Sequence, residues 1–273
     1  MQLSSEQLQH YQDRGYLLVP NCFSEAEIDR MKTELGTIYA QETPRKILEG
    51  DENQIRTVLG VHTENEIFRR CSHHASIIEP IMQILGSKIY IHQSQINPKI
   101  AWKNDVWIWH QDYVFFHKED GIPTPQLVIA LVFLYEVNEF NGPLMLIPGS
   151  HKEGIVSVLN PVTDSDTDES EEEWHRHIKT NQTYHVDRKT FEKLVNRYGI
   201  VAPKGKAGSV LFMHPNCVHG SSSNMSPFDR ALFAIRYNSV KNLPLPVENP
   251  RPEFQASSNY TPIEPLSGEV VLV

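Results

Sequence analysis

From Ile89 onward the chain breaks into short β-rich runs, and this succession restricts the fold more than any other feature. The runs cover 89–96, 106–116, 127–135, 144–147, 209–213 and 232–238. Turn signals divide them: Asp120-Gly121, Asn141-Gly142-Pro143, Pro148-Gly149-Ser150, Lys204-Gly205 and Ser226-Pro227. Each run has the length of one strand, and Gly, Pro and Asn clusters stop it. Upstream the pattern is helical. Ser4, with Gln7 three positions on, caps a short helix that Gly15 ends, and Tyr16 to Val19 reads as a strand. Ser24-Glu-Ala-Glu27 is a capping box that opens a helix to about Ala40, and 77–85 is helical again. Helices followed by many short strands predict a mainly β fold with flanking helices, a β-sandwich or jelly roll. The 273 residues are read as one domain, 1–273.

Composition removes several function classes. A formal net charge of −9 argues against nucleic-acid and anionic-membrane partners, which need a basic surface. The three cysteines (Cys22, Cys71, Cys217) have no CxxC spacing, as expected of reduced thiols in a cytoplasmic protein. The first ten residues are too polar for a signal peptide, and no apolar run reaches the roughly 18 residues of a membrane span. The terminal Val-Leu-Val is not a peroxisomal address. Residues 163–173 (TDSDTDESEEE) are acidic without an aliphatic side chain and read as a solvated loop, with a lid or negative rim as the functional alternative.

Within the second run, Trp107-Ile-Trp-His-Gln-Asp112 places His110 and Asp112 two positions apart. On an extended strand such residues share a face, so an imidazole and a carboxylate converge. That is two thirds of the 2-His-1-carboxylate triad that holds non-haem Fe(II) with open positions. An HxD pair also arises by chance, and His185/Asp187 is a second one. Asp187 stands just before a helical stretch, 189–197, and reads as its N-cap. The third ligand is His219 or His214. His219, followed by the small Gly220-Ser221 and then Arg230, has the better context. A guanidinium fork suits a carboxylate, and small residues admit a bound molecule close to the backbone. His214 reads as a satisfied strand-end histidine.

Several ordered motifs carry a family likeness. They are His92-Gln-Ser-Gln-Ile-Asn97, Trp109-His-Gln-Asp112, His117-Lys-Glu-Asp-Gly121, Asn141-Gly-Pro-Leu-Met-Leu-Ile-Pro-Gly-Ser-His151 and His219-Gly-Ser221. Gly15-Tyr-Leu-Leu-Val-Pro-Asn21 and Phe23-Ser-Glu25 precede them. The chain resembles the phytanoyl-CoA dioxygenase family of Fe(II)/2-oxoglutarate oxygenases, and within it the ectoine hydroxylases, over roughly residues 1 to 240. The resemblance implies a double-stranded β-helix, with His110, Asp112 and His219 as iron ligands. It implies that Arg230, Lys99 and Ser221 contact 2-oxoglutarate, and that Gln93 and Phe116 contact substrate. Lys99 could equally be a solvated loop lysine. The implied reaction consumes 2-oxoglutarate and O2, releases succinate and CO2, and hydroxylates a C–H bond. Asp112 separates the chain from related halogenases, which lack that carboxylate.

The likeness breaks where substrate is read. Phe116 stands where ectoine hydroxylases have a stacking tryptophan, and Ala234 stands near a lost aromatic contact. Arg230, Leu232, Ala234 and Arg236 alternate, so Arg236 should face inward with Arg230. It would bind a substrate carboxylate or form an internal ion pair. The expected substrate is a small, polar, carboxylate-bearing metabolite such as an amino acid or a derived solute. N-dealkylation or desaturation by the same chemistry, acyl-CoA hydroxylation and a metal-containing binding module are the alternatives.

Overall fold

The computed structural model describes residues 1–49, 54–103, 106–159, 183–266, 268 and 271. The acidic segment 163–173 lies outside the described residues. The first helices begin as their caps predict. In α1 (Ser5–Arg14) the Ser4 hydroxyl accepts from Gln7 N, and in α2 (Glu25–Ala40) the Ser24 hydroxyl accepts from Glu27 N. The Gln7 and Glu27 side chains bond back to the cap nitrogens, completing both boxes. Gly15 stops α1 in the left-handed region, φ 75°. β1 (Tyr16–Val19) lies between the two helices. The sequence reading missed β2 (Lys46–Leu48), β3 (Ile55–Leu59), α3 (Val61–Glu64) and α4 (Glu66–Ser72). These elements are short, and Asn65 caps α4 through Ile67 N and Phe68 N. α5 (Ala75–Leu85) starts two residues earlier than expected.

The remaining elements are β4 (Ile89–Lys99), β5 (Trp107–His110), α6 (Asp112–Lys118), β6 (Leu127–Phe133), β7 (Leu144–Leu146), β8 (Val158–Leu159), β9 (Tyr184–His185), α7 (Arg188–Tyr198), β10 (Val210–Met213), β11 (His219–Ser221) and β12 (Arg230–Ser239). A seven-stranded antiparallel sheet has the order β1-β10-β6-β12-β4-β3-β2, and a three-stranded sheet has the order β5-β11-β7. The expected mainly β fold with flanking helices is what forms: a double-stranded β-helix.

Each face of the large sheet packs against a different partner. On β6, Val128, Ala130 and Val132 join the core beneath α1, α2, α4 and α5. Ile129, Leu131 and Phe133 point the other way, into the barrel with Leu146, Leu211 and Leu232. Burial on both faces explains why 127–133 reads as an unbroken apolar run. β4 differs. Its Ile89, Ile91 and Ile96 enter the helix-side core. Gln93, Gln95, Asn97 and Lys99 lie opposite Arg236, Ala234, Leu232 and Arg230 of β12, so the barrel interior gains a polar stripe.

Two boundaries correct the sequence reading. The run 106–116 is not one strand: it ends at His110, and α6 begins at Asp112. Tyr113 N donates to Pro215 O at 3.1 Å, and the aromatic side chains of α6 form a separate buried cluster. β4 continues through Asn97-Pro98 to Lys99. Pro98 sits opposite Ala231 of β12, beyond the last residue paired with β3, so no ladder donor is missed.

Candidate metal centre

His110 ends β5, and His219, its register partner, opens β11. Gln111 keeps an extended backbone (φ −123°, ψ 134°), so the two-residue alternation survives and Asp112 turns inward even though it begins a helix. The three side chains meet. Asp112 Oδ1 lies 3.3 Å from His110 Nε2 and 3.6 Å from His219 Nε2, and all candidate donor atoms fall within 4.8 Å of one another. His110 Nδ1 lies 2.6 Å from Ile108 O, and His219 Nδ1 lies 3.0 Å from Cys217 O. A carbonyl only accepts, so each Nδ1 carries the proton and each Nε2 lone pair faces the centre. Two neutral imidazoles and a carboxylate fit one divalent ion with open positions.

The electrostatics agree. Burial alone would raise the Asp112 carboxyl, but Arg236, His110 and His219 outweigh it and hold it well below the usual carboxylate range. Burial, helped by His110, lowers His219 to about 4 and keeps it neutral near pH 7. Gln111 anchors the strand-to-helix junction. Its Nε2 donates to Gly154 O at 2.7 Å and Asn216 O at 2.8 Å, while its Oε1 accepts from Val156 N at 2.7 Å and Ser157 N at 3.0 Å. The sequence reading passed over this glutamine, although a polar residue wedged between two ligands is a usable signal.

The cavity around the centre has two lobes that share Gln95, Trp107, His110, Asp112 and Arg236. The inner lobe adds Lys99, Ser221 and Arg230. Lys99 is no solvated loop lysine: it is buried and donates to Ser222 O at 2.7 Å. Arg230 stands opposite it across the ladder, with Nε donating to Asn141 O at 3.3 Å and Nη2 to Gly142 O. Gly142 has φ 67°, and a Cβ there would lie 2.9 Å from Lys99 Cδ, so glycine lets the lysine stem pass. Two adjacent buried cations suit a dianion. Gly220 lines this lobe and has a second role. A Cβ there would meet Trp107 O at 2.8 Å, so its small size also serves the close approach of β5 and β11.

The outer lobe adds Gln93, Phe115, Phe116, Arg251 and Gln255. Phe116 is buried against His92, ring centroids 5.4 Å apart. Arg236 faces inward as alternation predicts, because β12 runs through it without an extra residue; the bulge opposite its Arg236–Tyr237 step is at His92 of β4. The internal ion pair forms: Nη2 lies 3.0 Å from Asp112 Oδ2. Arg251 and Gln255 were missed. Arg251 forks onto Asp120, Nε to Oδ1 at 2.6 Å and Nη2 to Oδ2 at 2.5 Å, and lies 3.7 Å from Glu119. Burial would raise Asp120, but Arg251 and His92 lower it to about 2.

The rejected candidates lie elsewhere. His214 accepts from Asn216 N and lies against His151, ring centroids 5.0 Å apart, and burial lowers it to about 3. Asp187 caps α7 through Thr190 N at 3.0 Å.

A double-stranded β-helix with two histidines, one carboxylate and a cationic inner lobe defines a mononuclear non-haem metal oxygenase that takes an organic dianion. Comparison with known proteins makes this specific. The phytanoyl-CoA dioxygenase (PhyH) pattern matches residues 11–232, and the chain belongs to that family. It is 36% identical to the ectoine dioxygenase of Bordetella bronchiseptica, over 97% of this chain and 86% of that one. It is 32% identical to the L-proline trans-4-hydroxylase of Streptomyces griseoviridis, over 93% of each. The crystal structure of EctD from S. alaskensis with 2-oxoglutarate and 5-hydroxyectoine superposes with a TM-score of 0.82 at 29% identity, covering 98% of this chain and 89% of that one. The protein is an Fe(II)- and 2-oxoglutarate-dependent dioxygenase acting on a small molecule. Among the described residues no helix is long and apolar enough to cross a membrane.

Proposed function

We propose that the protein hydroxylates a C–H bond of a small, polar, carboxylate-bearing metabolite, an amino acid or a compound derived from one. The observation that carries this reading is the outer lobe: a cavity beside the His110/Asp112 pair with a buried aromatic wall at Phe116, an amide at Gln93 and a guanidinium at Arg236. The names of the two kinds of relative, ectoine dioxygenase and L-proline trans-4-hydroxylase, point to substrates of this class. Phe116 and Ala234, where ectoine hydroxylases carry aromatics, turn the reading away from ectoine itself. The chain acts as one catalytic domain, 1–273, in the cytoplasm.

In this reading His110, Asp112 and His219 hold Fe(II), and Arg230, Lys99 and Ser221 receive 2-oxoglutarate in the inner lobe. Iron with 2-oxoglutarate and O2 supplies the oxidising power, giving succinate and CO2. The protein positions and shields. The backbone carbonyls of Ile108 and Cys217 fix the imidazole tautomers. The Arg56 guanidinium lies 3.8 Å from the Trp107 ring centroid and holds that wall in place. Most side chains that line the two lobes are buried, so the reacting centre would be walled by protein.

The test is a panel of amino acids and amino-acid-derived solutes incubated with protein, Fe(II), 2-oxoglutarate and air. One member should stimulate succinate release and gain one oxygen by mass. Succinate release that no carboxylate-bearing compound stimulates would sink the substrate class. Absence of both succinate and 2-oxoglutarate binding would point to a non-catalytic binding module instead.

A further inference from the structure

Arg236 spends only part of its guanidinium on the iron-site carboxylate. Its Nε and Nη2 lie 3.4 and 3.0 Å from the same oxygen, Asp112 Oδ2. A fork-to-fork pair would use both carboxylate oxygens, but Oδ1 is turned to the two imidazoles. The remaining nitrogen, Nη1, is buried and has no hydrogen-bond partner among the described residues. The whole side chain is 9% exposed. A buried guanidinium N–H without an acceptor is costly, so its persistence calls for an occupant. The residue lines both lobes and stands in register with Gln93 of the outer one.

Charge leads to the same place. One carboxylate cannot neutralise both a guanidinium and a divalent ion. A divalent ion held by Asp112 would leave the charge of the buried Arg236 side chain unbalanced. The other outer-lobe guanidinium, Arg251, already has a bidentate partner in Asp120. We propose that Arg236 is the specificity-determining residue that receives the substrate's carboxylate on its free edge while its other edge braces Asp112. The substrate is then selected as an anion, and its carboxylate is tied through one side chain to a metal ligand. A neutral amide of the same shape offers no compensating charge and is rejected.

The inference rests on the substrate class proposed above, but its test is separate from the succinate assay. Acetate is the probe and acetamide its neutral isostere. Each is titrated anaerobically into Co(II)-loaded protein saturated with 2-oxoglutarate, and binding is read as paramagnetic broadening of the methyl proton signal. Wild type should broaden acetate saturably and leave acetamide sharp. Arg236→Gln and Arg236→Lys should weaken acetate binding tenfold or more, the lysine variant keeping its Co(II) because a cation still faces Oδ2. Arg251→Gln should bind acetate within threefold of wild type. Equal acetate binding in wild type and the Arg236 variants would overturn the proposal. So would loss in Arg251→Gln instead, or no saturable broadening in wild type. Should both Arg236 variants lose Co(II), the remaining pair decides: acetate-selective binding that survives Arg251→Gln upholds the assignment, and binding lost with Arg251→Gln ends it. Stimulated succinate release combined with a failed acetate test would remove Arg236's role and leave the substrate class standing.

Discussion

The two lobes of the cavity are built by different means. The inner lobe is a product of strand register: Lys99 faces Arg230 across β4 and β12, and Ser221 follows two residues after His219 on β11. Its polar groups are fixed once the sheets form. The outer lobe is closed by pieces outside the sheets, with Phe115 and Phe116 from α6 and Arg251 and Gln255 from the segment after β12. One half is therefore set by sheet geometry, and the other can change with a helix and a tail while the sheets stay as they are. This division fits a dioxygenase in which one cosubstrate is fixed and the other varies between relatives.

The largest expected effect falls at the centre that joins the lobes. His219→Ala removes one of its three candidate ligands. Fe(II) affinity should drop by about 100-fold or more, since changes even to groups behind the ligands cost about 10–100-fold. Anaerobic Fe(II) titration checks this, and an unchanged affinity would remove His219 from the metal site. Arg230→Ala should instead separate the halves. Losing a buried charged donor costs about 3 kcal/mol, which is about 100-fold in 2-oxoglutarate affinity. Co(II) binding should stay within about threefold. If both fell together, the lobes would not be separable.

Phe116→Trp probes the other half. It restores the aromatic found in ectoine hydroxylases and should change the KM for the primary substrate by about tenfold, in the range of a single pocket contact. The KM for 2-oxoglutarate should move by less than about twofold. A parallel change in both constants would show that α6 supports the inner lobe as well.

Legibility in the sequence follows the same line. Strand alternation brought Arg236 inside with Arg230, and the two-residue spacing brought His110 and Asp112 together even though Asp112 begins a helix. That spacing works because Gln111 alone keeps the strand geometry across the junction. The β-rich run reads as ending at 96, whereas the strand continues to Lys99, and the shorter run leaves the burial of Lys99 unread. Gly220-Ser221 reads as room for a ligand and both residues line the inner lobe, but the room that Gly220 also makes for Trp107 O appears only in the folded chain. Arg251 and Gln255 had no periodic pattern to announce them. Arg251 lies between Pro250 and Pro252 in a segment without strand or helix, and only the folded chain brings it to Asp120.

Acid should weaken the metal-free protein both at the cavity and away from it. Burial lowers His62 to about 4 and His214 to about 3 outside the cavity, as it lowers His219 to about 4 within the inner lobe. In the unfolded chain all three would titrate near about 6.5. Between that value and about 4 the unfolded state binds more protons, so stability falls as pH falls, by up to about 1.4 kcal/mol per pH unit for each histidine. Urea unfolding of metal-free protein across this window measures the slope. A flat profile would mean that these histidines are not held neutral.

The smallest effect tests the wall both lobes share. β5 is backed by α7, through Trp109 packed on Phe191 at 4.7 Å between ring centroids, and by the residue before its cap, Val186, whose N donates to Trp109 O at 2.9 Å. Asp187 caps that helix, and Asp187→Ala removes the side-chain acceptor of Thr190 N. The expected loss is about 1 kcal/mol of unfolding free energy, the usual worth of an N-cap. His110 sits on the supported strand and contributes to both lobes, so any kinetic effect should raise the KM for 2-oxoglutarate and for the primary substrate by similar small factors, under about threefold. A change confined to one constant would show that α7 serves one lobe only, and the division would then run through the wall rather than between strands and tail.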